Sequence, residues 1–262
     1  MVKNIYKIFK LIGLDFYIFF LSIKGMPDFI KDLINYRKND LLKKTFPIKK
    51  YLPILSDRYD VAGVARGHYF HQDLLVAQKI FQNNPVKHID IGSRIDGFVA
   101  HIATFREIEV FDIRPLNISI TNMKFIQLDL IEENNTFDNY CDSISCLHAL
   151  EHFGLGRYGD PIDCEGHIKG FLNLYKILKS NGVLYFSVPI GDQRIEFNAH
   201  RIFSLNYLKE MFSNKFEIVS FSYVDDSGNL NKGADIFSDE AHRNFNLKYG
   251  CGIFELKKIV AI

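Results

Sequence analysis

The sequence has almost no charge excess and no block of like charge. Its 32 lysines and arginines are balanced by 31 aspartates and glutamates in 262 residues, for a formal net charge of +1. The basic runs are no longer than pairs such as Lys43-Lys44 and Lys49-Lys50. Because affinity for nucleic acid depends on clustered lysine and arginine, a nucleic-acid-binding protein is not expected.

Cysteine is scarce and unpatterned. Cys141, Cys146, Cys164 and Cys251 form no CxxC pair, and no histidine stands at the spacing of a zinc site. Neither a disulfide framework nor a metal site is therefore predicted. A reducing, cytoplasmic location suits such a set of free thiols.

No apolar run is long enough to cross a bilayer. The run from Leu11 to Ile23 near the N-terminus has 13 residues and is interrupted by Asp15, whereas a spanning helix needs about 20. It also lacks the small-residue cleavage site of a signal peptide. Since lysines flank this run, it is predicted either to lie as a helix in a membrane interface or to pack on the main domain or on a second subunit of a homodimer.

The chain changes character near residue 85. Residues 1–84 have helical patterns with irregular joins and are predicted to form a helical extension or lid. Residues 85–262 alternate β-branched and aromatic runs with helix-like segments, which is typical of a parallel sheet covered on both faces. Seven strands are predicted, at VKHIDIG, EIEVFDI, MKFIQLDL, CDSISCLH, GVLYFSVP, FEIVSFSYV and CGIFELKKIV.

Helices are predicted between these strands at residues 96–104, 165–179 and 205–212. Only a loop is expected between the last two strands. Such a connection needs no crossover helix, so the last strand is predicted to be antiparallel.

Polar residues follow each of the first four predicted strands, at Asp90 with Gly92, at Asp112, at Asp129 and at His148. Ligands of open α/β sheets bind beyond the carboxyl ends of the strands. Asp112 comes 20 residues after Gly92, the distance at which a strand-end carboxylate can take both hydroxyls of a ribose. Each aspartate alone fits a strand terminator or a helix cap equally well. Together they favour a ligand with a ribose and an exocyclic amine.

The run from Ile89 to Val188 resembles class I S-adenosylmethionine-dependent methyltransferases. IDIGSRIDG is similar to their first motif, FDIRP to the ribose-binding motif and FIQLDL to the adenine-contacting motif. SCLHALEHFG is similar to the segment after their fourth strand, and LKSNGVLYFSVP to the turn and fifth strand. More narrowly, GHYFHQDL, IDIGSRIDGF, HALEHFGLGRYGDPID and FNAHRIFS resemble a bacterial family of unassigned function, domain of unknown function family 268.

This resemblance implies an α/β, Rossmann-like methyltransferase fold with a seven-stranded, mostly parallel sheet and an antiparallel last strand. S-adenosylmethionine would lie over the first two strands. Asp112 would hold its ribose, and Asp129 would accept a hydrogen bond from the adenine amine. Further cofactor contacts are implied at Asp90, Gly92, Ser93, Arg94, Gly97, Ile113 and Leu130.

The turn from Gly92 to Gly97 departs from the superfamily, which commonly has glycines at alternate positions there. Arg94 stands in this turn, and three interpretations are open. It pairs with the carboxylate of the methionine moiety, or it folds outward onto Asp96 or Asp112, or it fills the pocket of a catalytically inactive relative.

Methyl transfer to a hydroxyl requires an aligned acceptor and a base for its proton. The resemblance makes His152 the favoured base, together with His148 and with Glu151 as an orienting residue; a helix-capping or core histidine is the alternative. Acceptor contacts are predicted in two segments, at Arg157, Tyr158, Asp160, His200 and Arg201. Arg201 equally fits a residue that ties down its own loop.

The leading functional prediction is an S-adenosylmethionine-dependent O-methyltransferase for a sugar or nucleotide-linked sugar of surface-polysaccharide biosynthesis. One alternative is a binding protein that keeps this fold without catalysis. Another is a nicotinamide-dependent oxidoreductase, which expects GxGxxG where this chain has GSRIDG.

Overall fold

The computed structural model describes residues 9, 13–38, 45–133 and 135–259, and the chain forms two compact units, Met1–Val64 and Ala65–Ile262. Two residues of the predicted apolar run, Leu11 and Ile12, lie outside the described residues. In the part of the chain that is described, no helix is both long enough and apolar enough to cross a membrane.

The first unit contains one long helix, α1 (Phe16–Arg37). Asp15 caps it, because its carboxylate accepts hydrogen bonds from the backbone N–H groups of Tyr17 (3.0 Å) and Ile18 (3.3 Å). Gly25 lets the chain pack closely on this helix, since a Cβ there would lie 2.0 Å from the carbonyl oxygen of Leu55. A short 3₁₀ turn follows at Asp57–Tyr59.

The second unit contains an eight-stranded sheet in the order β3-β2-β1-β4-β5-β10-β8-β9, and a separate hairpin of β6 and β7. β1 to β5 run parallel to one another, and β10 is antiparallel to both β5 and β8. The strands are β1 (His88–Ile91), β2 (Ile108–Asp112), β3 (Met123–Gln127), β4 (Cys141–Leu147), β5 (Leu178–Ile190), β6 (Arg194–Glu196), β7 (His200–Ile202), β8 (Phe216–Val224), β9 (Leu230–Asn231) and β10 (Gly250–Lys258). All seven predicted strands and the antiparallel last strand are confirmed.

The helices cover both faces of this sheet. They are α2 (His68–Asn83), α3 (Ala100–Ala103), α4 (Gly166–Ile177), α5 (Leu205–Phe212) and α6 (Asp239–His242), with a π-helical turn at Ile95–Val99 and 3₁₀ turns at Asn135–Phe137, Leu150–His152 and Asn244–Asn246. The three predicted helices are present. The expectation of a bare loop between the last two long strands is wrong, since β9 and α6 lie there.

Alternation along β5 shows how the sheet is buried on both sides. Leu184 and Phe186 pack into a cluster with residues of α4 and α5, whereas Tyr185 packs into a second cluster with residues of α2 and α3. Successive side chains of a strand point to opposite faces. A helical layer on each face explains why the central strands are apolar along their whole length.

Candidate functional site

A cavity opens at the carboxyl ends of β1, β2 and β4, and we call it the strand-end cavity. Its empty space, including the open mouth, is about 580 Å³. The lining residues are Ile91, Gly92, Phe111, Asp112, Ile113, Arg114, Leu128, Asp129, Leu130, Ile131, His148, Ala149, His152, Phe153, Tyr158 and Asp160.

Gly92 forms the point where β1 turns into the cavity wall. Its N–H donates to the carbonyl oxygen of Phe111 at 2.9 Å, so it lies beside the end of β2. Its φ is +71°, and a Cβ would come within 3.1 Å of the Cβ of Ala149. Both facts favour glycine, because only glycine adopts this backbone freely and leaves the cavity open.

Asp90 supports this turn from behind and does not line the cavity. Its buried carboxylate accepts hydrogen bonds from the N–H of Ser93 (3.0 Å), the Oγ of Ser93 (2.9 Å) and the Oγ of Ser145 (2.5 Å). Burial raises the pKa of Asp90 to about 7, although the donated hydrogen bonds act in the opposite direction. The structure therefore places Asp90 and Ser93 as supports of the turn.

Arg94 points away from the strand-end cavity. Its side chain is 72% exposed, and its Nη2 lies 2.7 Å from the Oδ2 of Asp96. Of the three interpretations of Arg94, the structure agrees with the second, in which the side chain folds outward and pairs with Asp96. Gly97 also lies outside the cavity lining.

Asp112 faces the cavity, but its carboxylate is paired with Arg114. The guanidinium donates from Nε to Oδ1 (2.9 Å) and from Nη2 to Oδ2 (2.5 Å), and the backbone N–H of Arg114 also donates to Oδ1 (2.8 Å). The same guanidinium lies 4.7 Å from the ring centre of Tyr158. A ribose that used both oxygens of Asp112 would have to displace it. Arg114 belongs to the FDIRP motif but was not predicted as a site residue.

Asp129 lies beyond the end of β3 with one carboxylate oxygen engaged. Its Oδ1 accepts from the backbone N–H of Ile131 at 2.9 Å. Among the described residues, no hydrogen-bond donor contacts its Oδ2. Together with the adjacent Leu130 and with Ile113, it forms the part of the cavity beside β2 and β3.

His148 and Glu151 form a buried pair at the end of β4. The Nδ1 of His148 lies 2.7 Å from the Oε1 of Glu151. Burial disfavours a charge on this imidazole, but the nearby Cys251 and Glu151 outweigh it and raise the pKa of His148 above its ordinary range. The backbone of His148 has φ +51°, which is uncommon for a residue with a side chain.

His152 presents one ring nitrogen for proton transfer. Its Nδ1 lies 2.7 Å from the carbonyl oxygen of Ala199, which can only accept, so Nδ1 carries the hydrogen and Nε2 is left as an acceptor. The Nε2 lies 3.8 Å from the Oε1 of Glu151. Burial lowers the pKa of His152, so the imidazole is neutral at pH 7. A neutral imidazole with a free Nε2 is suited to act as a general base.

The loop of residues 153–165 is organised by Asp160. Its carboxylate accepts hydrogen bonds from the backbone N–H groups of Gly154 (2.8 Å), Gly156 (3.2 Å) and Tyr158 (3.2 Å). This arrangement sets Tyr158 at the edge of the cavity with 39% of its surface exposed.

Three other residues that were predicted to contact the acceptor do not line the cavity, and two of them form hydrogen bonds with backbone carbonyl groups. Arg201 donates to the carbonyl oxygens of Phe153 (2.6 Å) and Cys164 (3.4 Å), so it ties down this loop. Arg157 donates to the carbonyl oxygen of Ala199 at 2.9 Å. The ring of His200 lies beside that of Tyr249, with the ring centres 5.1 Å apart and the planes tilted by 37°.

The structure thus brings about half of the predicted site residues to one cavity. Those that line it are Gly92, Asp112, Ile113, Asp129, Leu130, His148, His152, Tyr158 and Asp160. Those that do not are Asp90, Ser93, Arg94, Gly97, Glu151, Arg157, His200 and Arg201. The apolar lining residues that were not predicted carry no signal that separates them from ordinary core.

Residues 101–259 match the family described as "Caenorhabditis protein of unknown function, DUF268". This match covers more than half of the chain. The chain belongs to the DUF268 family. No curated protein matches it, and the DUF268 description assigns no activity.

Solved structures show which fold this DUF268 chain has. A Burkholderia thailandensis 1,6-didemethyltoxoflavin-N1-methyltransferase with bound S-adenosylhomocysteine aligns at a TM-score of 0.53 with 12% identity, covering 72% of this chain and 79% of that one. The N-methyltransferase NodS from Bradyrhizobium japonicum aligns at 0.51 with 10% identity, covering 75% and 100%. The [4+2]-cyclase SpnF aligns at 0.52 with 14% identity, covering 73% and 82%. These similarities confirm the predicted methyltransferase fold.

Proposed function

We propose that this DUF268 chain is an S-adenosylmethionine-dependent methyltransferase. The observation that carries the proposal is the strand-end cavity, where Asp112 and Asp129 stand at the ends of neighbouring strands and His152 faces the same space. The S-adenosylhomocysteine in the Burkholderia thailandensis neighbour supports it. Bound S-adenosylmethionine would supply a methyl group activated on a sulfonium.

The residues of the cavity have separate tasks under this proposal. The carboxylate of Asp112 accepts from the ribose hydroxyls, and the free Oδ2 of Asp129 accepts from the adenine amine. Gly92 leaves room for the methionine part because it has no side chain. His152 takes the proton of the acceptor hydroxyl on Nε2, and the walls of the cavity hold the reacting groups in line.

We further propose that the acceptor is a hydroxyl of a sugar or nucleotide-linked sugar, as in surface-polysaccharide biosynthesis. The ring of Tyr158 is 39% exposed and lies beside the guanidinium groups of Arg114 (4.7 Å) and Arg157 (5.3 Å). An exposed aromatic ring is a surface of the kind that sugars contact. Asp160 lies beside it on the cavity wall, where its Oδ1, which among the described residues accepts only the N–H of Tyr158, can accept one further hydrogen bond from a sugar hydroxyl.

A cytoplasmic location and a contact of α1 with a membrane surface or a second copy of the chain stay predictions. Phe19 and Phe20 of α1 are 57% and 66% exposed. Apolar side chains of this kind favour an interfacial helix.

Calorimetric titration of the purified chain with S-adenosylmethionine, S-adenosylhomocysteine and NAD tests the proposal. Micromolar or tighter binding of the first two, without binding of NAD, is the expected result. Binding of NAD alone would favour the oxidoreductase and overturn the proposal.

A second candidate function is a binding protein that keeps the methyltransferase fold without its cofactor. The pairing of Arg114 with Asp112 favours this candidate, because the ribose-binding carboxylate is already engaged. Absence of heat change with all three ligands would support it.

Replacing Arg114 by alanine is expected to tighten binding of S-adenosylhomocysteine about three- to tenfold. The guanidinium competes with the ribose for Asp112, and since its side chain is 43% exposed the pair contributes only about 1 kcal/mol. Calorimetry with Arg114→Ala and the wild type measures the change. Arg194→Ala is the matched control, because Arg194 forms an exposed pair with Glu196 at the same two-residue spacing. Tenfold weaker binding by Arg114→Ala would instead make this arginine a cofactor contact.

A further inference from the structure

We propose that His68, His148 and Cys251 form a binding site for one zinc ion. His68 begins α2, His148 follows β4, and Cys251 is the second residue of β10. The candidate ligand atoms of these three side chains all lie within 4.8 Å of one another. Positions so far apart in the chain have no ligand spacing, which is why the sequence predicted no metal.

An unpartnered nitrogen of His148 points to a ligand at this cluster. The Nδ1 of His148 is engaged by Glu151. Its Nε2 is buried and has no hydrogen-bond partner among the described residues, and the residue is only 8% exposed. Cys251 is close enough to act on this ring, but its sulfur does not meet hydrogen-bond geometry with Nε2. Buried polar atoms in folded proteins are nearly always satisfied, and an ion shared by this nitrogen and the Cys251 sulfur would satisfy it.

Both histidines are held as metal-binding histidines usually are. A metal ligand of this type commonly gives its second ring nitrogen to a carboxylate or a backbone carbonyl, which fixes the ring. His148 has the carboxylate of Glu151 at 2.7 Å. His68 has a hydrogen bond with the backbone of Tyr249.

The sulfur of Cys251 is available as the third ligand. Its contacts are long and weak, at 3.8 Å to the Oε1 of Gln72 and 3.7 Å to the carbonyl oxygen of Gly252. Two imidazole nitrogens and one thiolate form a ligand set that zinc accepts. In a tetrahedral site these atoms lie about 3.3–3.8 Å apart. In the structure they lie within 4.8 Å of one another, so a bound zinc ion would draw them together.

Three protein ligands leave the fourth position of the zinc open. His148 also lines the strand-end cavity, and we propose that the acceptor hydroxyl reaches the open position from that side. A hydroxyl held there would lose its proton more readily. This consequence rests on the proposed methyl transfer, whereas the binding of zinc does not.

Metal titration of the full chain, first stripped with a chelator, tests the site. Zn²⁺ is measured by competition with a chromophoric chelator, and Co²⁺ is used as a spectroscopic probe. One ion per chain is expected, with a thiolate-to-cobalt charge-transfer band. Cys251→Ser is expected to lose this band, and Glu151→Gln to weaken zinc binding about 10- to 100-fold. Cys164→Ser removes an exposed cysteine and is expected to match the wild type.

Either of two results would overturn the zinc site: no bound ion in the wild type, or an unchanged cobalt band in Cys251→Ser. Circular dichroism establishes that each variant is folded; if Cys251→Ser is not, the stoichiometry and cobalt band of the wild type decide. Titration of the stripped protein with S-adenosylhomocysteine separates the two proposals. A chain that binds S-adenosylhomocysteine but no metal refutes the zinc site alone, and one that binds zinc but no S-adenosylhomocysteine refutes the methyltransferase alone.

Discussion

Asp112→Ala is expected to weaken binding of S-adenosylhomocysteine by about 10²- to 10⁴-fold. Two hydrogen bonds from ribose hydroxyls to one carboxylate contribute about 1.5–3 kcal/mol each, and each 1.4 kcal/mol is about tenfold in affinity. Asp112 is suited to this task because it faces the strand-end cavity from the end of β2. Calorimetric titration of the variant beside the wild type measures the loss.

Two further variants separate the ribose contact from the released guanidinium of Arg114. Asp112→Ala leaves the guanidinium of Arg114 without its partner, and this free charge could itself change the affinity. The double variant Asp112→Ala/Arg114→Ala removes both groups and is expected to bind S-adenosylhomocysteine as weakly as Asp112→Ala. Glu196→Ala removes a carboxylate from an exposed arginine pair outside the cavity and is expected to bind normally. Wild-type affinity in Asp112→Ala would show that the cavity does not hold a ribose in the proposed way.

The regular part of the fold could be predicted because its residues carry strong local signals. The predicted helix at residues 205–212 has the same bounds as α5, and Ser204 caps it by accepting from the N–H of Tyr207 at 3.2 Å. The continuous apolar run of β5 indicates a strand covered on both faces. By contrast, β6, β7 and β9 have only two or three residues each, too few for any periodicity to register.

The candidate site could be predicted only as far as the strand ends. Asp112 and Asp129 reach the same cavity because parallel strands end at the same edge of the sheet. The direction of an arginine side chain carries no such signal. Arg94 and Arg114 each stand two residues from an aspartate, yet the first pairs with Asp96 on the surface and the second with Asp112 in the cavity. The two pairs differ because the side chain of Asp96 is 71% exposed and that of Asp112 is 9% exposed. Burial depends on the tertiary fold, which local sequence does not reveal.

The cluster of His68, His148 and Cys251 was beyond sequence reasoning for a similar reason. Its members come from α2, the end of β4 and β10, and they meet only because β10 inserts between β5 and β8 in the sheet. Local spacing detects metal ligands on one helix or one turn. It does not detect ligands that the strand order brings together.

His152→Ala is expected to lower kcat for methyl transfer by about 10²- to 10⁴-fold, the usual contribution of a positioned general base. Binding of S-adenosylhomocysteine is expected to stay within twofold of the wild type, because the ring contacts Ala199 and Glu151 and not the ribose carboxylate. The measurement is transfer of a labelled methyl group from S-adenosylmethionine to the most active of a panel of nucleotide-linked sugars. His242→Ala, which removes an exposed histidine outside the cavity, is the control and is expected to retain full activity.

The pH dependence of the same reaction distinguishes a base from a merely structural histidine. Only the neutral imidazole can accept a proton on Nε2, so kcat/KM falls when His152 becomes protonated. Burial lowers the pKa of His152 from its ordinary 6.5; the wild type therefore keeps its activity at pH 6.5 and loses it as the pH falls through that lower value. In His152→Ala the residual rate is expected not to show this loss of activity at acidic pH. If the variant keeps the same loss of activity at acidic pH, or keeps the wild-type kcat, another group carries out the proton transfer. His152 would then only support the loop at Ala199.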